Sequence, residues 1–445
     1  MIDVHMSHVS HFVRKVSRAK KLVLLLCATG ILMPVSVPTV LADVKVRSYD
    51  KGKKTERSLR NKSGTDTRTG AGSTRRGKGL RANRPAPEDD FEPGEILVAN
   101  APRKFHSDMA GLGLKLIERI RIRRLDLDVL RLRLPAKQSV KKTVGKLAVR
   151  YPSAIIDANH RYDLTATSAK LRFPRQIAGW SKVPGNCGKG VRIGMIDGAV
   201  DLKNPALKGQ SIVYRSFHDR TRNPAPTDHG TSIATLLIGK PMRNGWSGLL
   251  PGAQLFAASM FEIDRQDQTV GNSRGLLKAL EWMTDNQVKV VNLGIAGADN
   301  KTIERALKKA RKSGMILVAS VGNWGYKRDA AYPAGYRDVV AVTAVGKRNR
   351  ILKSANQGKY VDFAAPGKGV WVPVGPRGLL GDGTSYAAPF ISVLAGLHVA
   401  RGQRPDPEIF RRKLRRMTVD LGKRGRDKVF GWGVVKSQPA CIEGN

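Results

Sequence analysis

At 445 residues the chain exceeds one typical domain, and its 41% hydrophobic content sets no limit on building a core. The 79 Lys and Arg against 36 Asp and Glu leave a formal net charge of +43, a field that attracts polyanions and is silent about fold. Aromatics are only 6% and are not interleaved with the basic runs, which argues against a base-stacking platform, so no specific nucleic-acid partner is expected.

Arg14, Lys15, Arg18, Lys20 and Lys21 precede an apolar run from Leu22 to about Leu41, the layout of a secretory signal. Val40 and Ala42 fit a small-residue cleavage site, so residues 1–42 read as a signal peptide and the product as secreted or periplasmic. Pro34 and Pro38 count against a spanning helix, which leaves an uncleaved inner-membrane anchor as the alternative. Cleavage discards Cys27 and leaves Cys187 and Cys441, a single pair in an exported setting. A disulfide between them is the expectation, with two unpaired thiols as the alternative.

Residues 43–90 are rich in Lys, Arg, Gly, Ser and Thr and cannot bury enough apolar area to offset ordering entropy. They read as a disordered basic linker, either a tether to a polyanionic surface or a plain spacer. Over residues 91–165 the patterning returns, with Glu95-Ile-Leu-Val98 and then alternation through Ile120, Ile122, Leu125, Leu127, Leu130, Leu132 and Leu134. Period two means strands with one buried face. Val140, Val144, Leu147, Ala148 and Tyr151 recur at helical spacing, and Ala154-Ile-Ile reads as a closing strand, giving a small α+β unit.

Residues 175–445 alternate strands with amphipathic helices, the mark of an α/β fold: a doubly wound, mostly parallel sheet covered on both faces. Strands are expected over 191–196, 254–259, 288–293, 315–320 and 339–342, and helices over 275–286, 301–313 and 385 to about 399.

Three stretches carry chemistry. The strand ending at Ile196 delivers Asp197 to the carboxyl edge of a buried sheet, where sites collect in open α/β folds. Asp228-His229-Gly-Thr sets an imidazole beside small residues that leave room for a substrate, whereas His218 and His398 look structural or exposed. Gly381-Asp-Gly-Thr-Ser385 opens a helix with a serine, and a helix start offers N–H groups and positive dipole to a developing oxyanion. In isolation these would be a turn-forming Asp, a structural His and an N-cap Ser.

Together, in the order Asp, His, Ser, they resemble the signature blocks of the subtilisin-like serine proteases (subtilases, peptidase S8). Ala319-Ser-Val-Gly-Asn323, Phe363-Ala-Ala-Pro-Gly367 and Gly431-Trp-Gly-Val-Val435 extend the resemblance. It implies a secreted serine endopeptidase with Ser385 as nucleophile, His229 as general base and acid, Asp197 as its orienter and Asn323 as oxyanion donor. Gly294, Ile295 and Ala296 fall where the family pairs with substrate. The 91–165 unit resembles the family's inhibitory, inhibitor-I9-like propeptide of ferredoxin-like α+β fold, which implies a zymogen that processes itself between about Tyr162 and Arg175 and then holds its propeptide as inhibitor; a permanently attached module is the alternative. Gly198 stands where the family usually has Thr, Ser232 where a second His is frequent, and Asn292-Leu-Gly-Ile-Ala-Gly297 replaces the usual substrate-pairing strand. No dense Asp and Asn cluster marks a calcium site, so neither metal nor cofactor is expected. The competing readings are an inactive subtilase-fold module binding polyanionic surfaces, which would normally lack one of the four residues, and a zinc hydrolase, for which the His-Glu-x-x-His element is missing.

Overall fold

The computed structural model describes residues 89–164, 167–168 and 183–437. The expected signal peptide, nearly all of the basic linker, Cys441 and most of the 162–175 processing stretch lie outside the described residues.

The alternating region forms β1 (Phe91–Ala99), α1 (Arg103–Asp108), β2 (Lys115–Ile122), β3 (Leu127–Arg133), α2 (Val140–Arg150) and β4 (Ile155–Leu164). The antiparallel order β2-β3-β1-β4 with two helices is the ferredoxin-like arrangement. Helix α2 starts where Ser139 accepts the Lys142 N–H. It buries Val140 and Leu147 in a cluster with Ile96, Val98, Leu130, Leu132 and Ile156. Leu97, Ala99, Ile120, Ile122, Leu127 and Val129 join the main core of the molecule instead. This layer is therefore apolar on both sides of its sheet, which is why β1 reads as a continuous run at Ile96–Ala99.

The longer second region opens with β5 (Thr167–Ser168), β6 (Arg192–Asp197), β7 (Ile212–Ser216), α3 (Asp228–Ile238) and β8 (Gln254–Ser259). The hairpin β9 (Phe261–Ile263) and β10 (Thr269–Asn272) leads into α4 (Ser273–Asp285), then β11 (Val290–Leu293), β12 (Ile295–Gly297), α5 (Lys301–Lys312), β13 (Ile316–Ser320) and β14 (Val339–Val345). After β15 (Phe363–Pro366) come the hairpin of β16 (Val370–Val372) with β17 (Leu379–Asp382), helices α6 (Thr384–Ala400) and α7 (Pro407–Arg415), and the short β18 (Thr418–Val419) and β19 (Val434–Val435).

Nine of these strands form one sheet in the order β18-β19-β15-β14-β13-β11-β6-β8-β7, parallel throughout except where β18 meets β19. Helices cover it, so its central strands are unbroken apolar runs with both faces buried. The doubly wound architecture expected from the sequence is the one observed. Helix α4 begins two residues earlier than its apolar spacing suggests because the Asn272 side chain accepts the Gly275 N–H and moves the cap upstream. Cys187 is disulfide-bonded.

Asp362, 4% exposed, ties the end of the chain to this sheet. Its carboxylate accepts from Arg411 Nε at 2.9 Å, Arg426 Nη2 at 2.9 Å and the Ala341 N–H at 3.0 Å. Removing one member of a buried ionic group leaves the others uncompensated. Asp362→Ala should therefore destabilise the fold by about 3 kcal/mol or more, read as a lowered urea midpoint, with Asp362→Asn losing less because it keeps one acceptor.

Candidate active site

Strand order reverses around β6: β7 and β8 lie to one side of it, β11 and the later strands to the other. At such a switch point the carboxyl ends of adjacent strands part and leave a crevice. Asp197 ends β6 there and is fully buried. Its Oδ1 accepts the Gly198 N–H at 2.7 Å and faces His229 Nδ1 at 2.5 Å. His229, in the first turn of α3, presents Nε2 to Ser385 Oγ at 3.0 Å. Ser385 lies in the first turn of α6, also fully buried. With Nδ1–H donating to the carboxylate, Nε2 is the acceptor for the serine hydroxyl, so the three side chains form one continuous line. The structure thus brings together the three residues that the motifs single out.

Asn323 is held next to this line in a way the sequence did not reveal. Its Oδ1 accepts the Thr384 N–H at 3.1 Å, and Thr384 Oγ1 in turn accepts the Gly322 N–H at 3.2 Å. Gly322 has φ +93, a conformation glycine adopts without strain. Asn323 Nδ2 is buried and finds no partner among the described residues. An amide locked by its oxygen, with its N–H₂ left over beside a serine at a helix start, is a donor set for negative charge on an acyl oxygen. Thr384, which holds the Asn323 amide by its oxygen, is the member of this arrangement that motif reading missed; its place directly before the serine was the available signal.

Gly294 follows β11 and touches the site from below: a Cβ there would collide with Asp197 Oδ2 and lie 3.6 Å from Ser385 Cβ. Ile295 and Ala296 form β12, and here β4 of the N-terminal layer enters. Its last residues pair antiparallel with β12, Leu164 with Ile295, Asp163 with Ala296 and Tyr162 with Gly297. On the other side Tyr162 pairs with Gly271 and Arg161 with Asn272 of β10. Thr167 pairs with Asp382 and Ser168 with Gly381 of β17. The groove between β10 and β12 thus holds an extended strand, and β5 pairs with β17 just ahead of the Ser385 helix.

Polar side chains of β4 meet the exposed N–H groups at two helix starts. Asn159 Oδ1 accepts from the Arg274 N–H of α4 at 3.1 Å, and Asp157 Oδ2 from the Thr302 N–H of α5 at 3.2 Å. Burial pushes the Asp157 carboxyl up to about 6, outweighing the backbone N–H groups of Thr302 and Lys301 that favour its charge. Around them runs an ionic seam. Arg161 reaches Glu92 at 3.2 Å and Asp264 at 3.1 Å, Arg222 reaches Glu92 at 2.6 Å and Glu262 at 2.8 Å, and Arg274 reaches Glu118 at 2.6 Å. Burial works against the Glu92 charge, but the Arg222 and Arg161 guanidiniums hold its carboxyl below the usual range.

Tyr386 packs its ring edgewise on His229, centroids 6.1 Å apart, and its hydroxyl, pushed up to about 12 by burial, faces Ser232 on α3. Ser232 donates to the Asp228 carbonyl at 2.7 Å, so it serves the helix rather than the proton line. His398 lies buried with Nε2 donating to the Arg404 carbonyl at 3.0 Å, and His218 Nδ1 meets Ser216 Oγ at 2.6 Å; neither belongs to the site. Among the described residues no cluster of His, Cys, Asp and Glu is arranged to hold a metal ion.

A parallel doubly wound sheet with an Asp-His-Ser line at its switch point defines the class. The family model described as Subtilase family (Peptidase S8) matches residues 188–433, and the chain belongs to that family. The minor extracellular protease Epr of Bacillus subtilis (strain 168) is 29% identical over 257 residues, covering 57% of this chain and 38% of Epr. The thermophilic serine proteinase of Bacillus sp. (strain AK1) is 31% identical over 229 residues, covering 50% of this chain and 55% of that protein. Against these two relatives the chain thus spans from just under two fifths to a little over half of their length. Fervidolysin from Fervidobacterium pennivorans, described as a keratinolytic enzyme related to subtilisin, superposes with TM-score 0.64 over 80% of this chain and 62% of its own, at 21% identity, a likeness of fold.

The raised Asp157 pKa has a defined sign. A carboxyl that binds its proton more tightly in the folded protein than at its ordinary 3.8 makes folding more favourable as the pH falls from above 6 toward 4. Asp157→Asn removes that term and keeps an acceptor for Thr302. The melting temperature of the variant minus that of the wild type should therefore be highest near pH 7.5 and fall as the pH is lowered to 5, measured on Ser385→Ala backgrounds to keep the chain intact.

Proposed function

We propose that the chain is a serine endopeptidase that forms an acyl-enzyme through Ser385. The observation that carries this reading is the unbroken Asp197–His229–Ser385 line with the unpartnered Asn323 amide beside it. His229 Nε2 takes the Ser385 proton as Oγ attacks the scissile carbonyl, forming the C–O bond of a tetrahedral intermediate. Asn323 Nδ2 and the Ser385 N–H donate to the oxyanion. The imidazolium, held and stabilised by Asp197, then gives its proton to the leaving amine, and water repeats the sequence in reverse to release the acid. Gly294, Ile295 and Ala296 supply the edge along which substrate pairs as a strand.

The ferredoxin-like layer is, in this reading, an inhibitory propeptide, and the protein a secreted zymogen. Two features support it: the groove already contains β4, and the chain is paired with β12 through Leu164 and, through Thr167, with Asp382 of β17, three residues before Ser385. Self-processing is expected between Leu164 and Thr167. The cut layer stays docked through the seam of buried ion pairs, as an inhibitor in its own right. The fervidolysin likeness spans more of the chain than the family-matched segment, which is consistent with shared architecture ahead of it. Residues 43–90, on the N-terminal side of that cut, would tether the zymogen, and afterwards the cut layer, to anionic surfaces through their Lys and Arg.

The test is a fluorophosphonate probe applied to the wild type and to Ser385→Ala, with the adduct and any new N-terminus located by mass spectrometry. Labelling of Ser385 in wild type alone, on a fragment beginning between Leu164 and Thr167, is the expected result. An unlabelled, folded wild type would favour the inactive, polyanion-binding module. In the active enzyme, Asn323→Ala should lower kcat by about 100- to 1000-fold with a much smaller change in KM, because the lost hydrogen bond strengthens only as the oxyanion develops.

A further inference from the structure

Two glycines flank the proton line, Gly198 directly after Asp197 and Gly230 directly after His229. Their turns press backbone against backbone. A Cβ on Gly230 would collide with the carbonyl oxygens of Gly198 and Ala199, so that position has room for glycine alone. Gly198 differs. Its φ lies outside the left-handed region, and a Cβ built on it would sit 3.4 Å from the Gly230 nitrogen and 3.6 Å from Leu164 Cδ1, an ordinary contact distance. The backbone thus accepts a larger residue at 198; what a larger residue would take up is the space that the Leu164 side chain fills. Leu164 ends β4, packs against the main core and pairs with Ile295.

We infer that Gly198 determines substrate specificity, making the floor of the cleft deep enough for a leucine-sized aliphatic side chain at the residue paired with Ile295. The inference rests on reading the groove between β10 and β12 as the substrate cleft. Substrates would be extended segments carrying such a residue just upstream of the cleaved bond, with β4 as the built-in example. A β-branched side chain at 198 places γ atoms into the same space and leaves room only for small residues. Selectivity follows from the apolar contact area that a leucine gains over an alanine on this floor.

The test uses the matured wild-type enzyme and its Gly198→Thr variant on quenched peptides with the sequence of residues 160–168, His-Arg-Tyr-Asp-Leu-Thr-Ala-Thr-Ser, and the same peptide carrying Leu164→Ala. Wild type should cleave the leucine peptide with kcat/KM about tenfold or more above the alanine peptide, the discrimination that a few methylenes provide. In Gly198→Thr that ratio should collapse to about one or invert. Should Gly198→Thr fail to mature, the full-length double variant with Leu164→Ala should recover processing, since the shortened side chain frees the space that threonine takes. Labelled, active wild type with no leucine preference, an unchanged ratio in Gly198→Thr, or a double variant that matures no better than the single one would overturn the inference and leave the endopeptidase reading intact. Absence of both labelling and cleavage in wild type would overturn the two together.

Discussion

The parallel pairing of β6 with β11, at the point where the sheet reverses its strand order, is the constraint on which the site depends. It sets the end of one strand, carrying Asp197, beside the turn that follows the other, carrying Gly294. The crevice between them is narrow enough that a single added Cβ at 294 would strike the carboxylate. Helices α3 and α6 pack over this opening and lower His229 and Ser385 into it from their first turns. The imidazole then has one orientation fixed at both nitrogens, by a carboxylate on one side and a hydroxyl on the other. Tyr386 closes the remaining freedom with a ring wall. A fold that needs helix–sheet packing for its core thus assembles the Asp197–His229–Ser385 line as a by-product of its topology.

The second organising element is β4, which belongs to two sheets at once. Its first half completes the ferredoxin-like layer against β1, and its last residues lie between β10 and β12. The join is polar where helices begin and ionic around the rim, yet nearly every charged group in it has an opposite partner. That balance matters in a chain with a formal net charge of +43. Buried ion pairs bring little net stability against apolar alternatives, but breaking one partner is costly, so their value lies in fixing one register of docking.

The chemistry was legible in the sequence because it constrains residue type locally: an Asp ending an apolar strand, a His before glycine, a Ser opening a helix. The central strands were legible for a related reason, since a sheet covered on both faces leaves uninterrupted apolar runs such as Ile316–Ser320. What escaped was short or non-local. Strand β7 and the hairpins β9/β10 and β16/β17 are too brief and too rich in polar or glycine residues to show a period. Helix α1 has no side-chain cap to announce it. The insertion of β4 between β10 and β12 joins residues more than a hundred positions apart, and no window along the chain contains that information. Asn323 was expected as a donor from the motif around it, but the locking of its amide by Thr384 emerges only when β13 and α6 are brought together.

The shared strand also bears on the order in which the molecule assembles. Pairings within the N-terminal layer are comparatively local, as between Val98 and Leu130, whereas the main sheet needs closures such as Gly194 with Val291 before Asp197 has a crevice to occupy. Loop-closure entropy delays long-range contacts relative to short ones. The layer that fills the groove thus closes over shorter separations than the β6–β11 pairing that makes the crevice, and its β4 strand offers helices α4 and α5 partners for their leading N–H groups. The segment that obstructs the finished site would be, at an earlier moment, the surface on which that site takes shape.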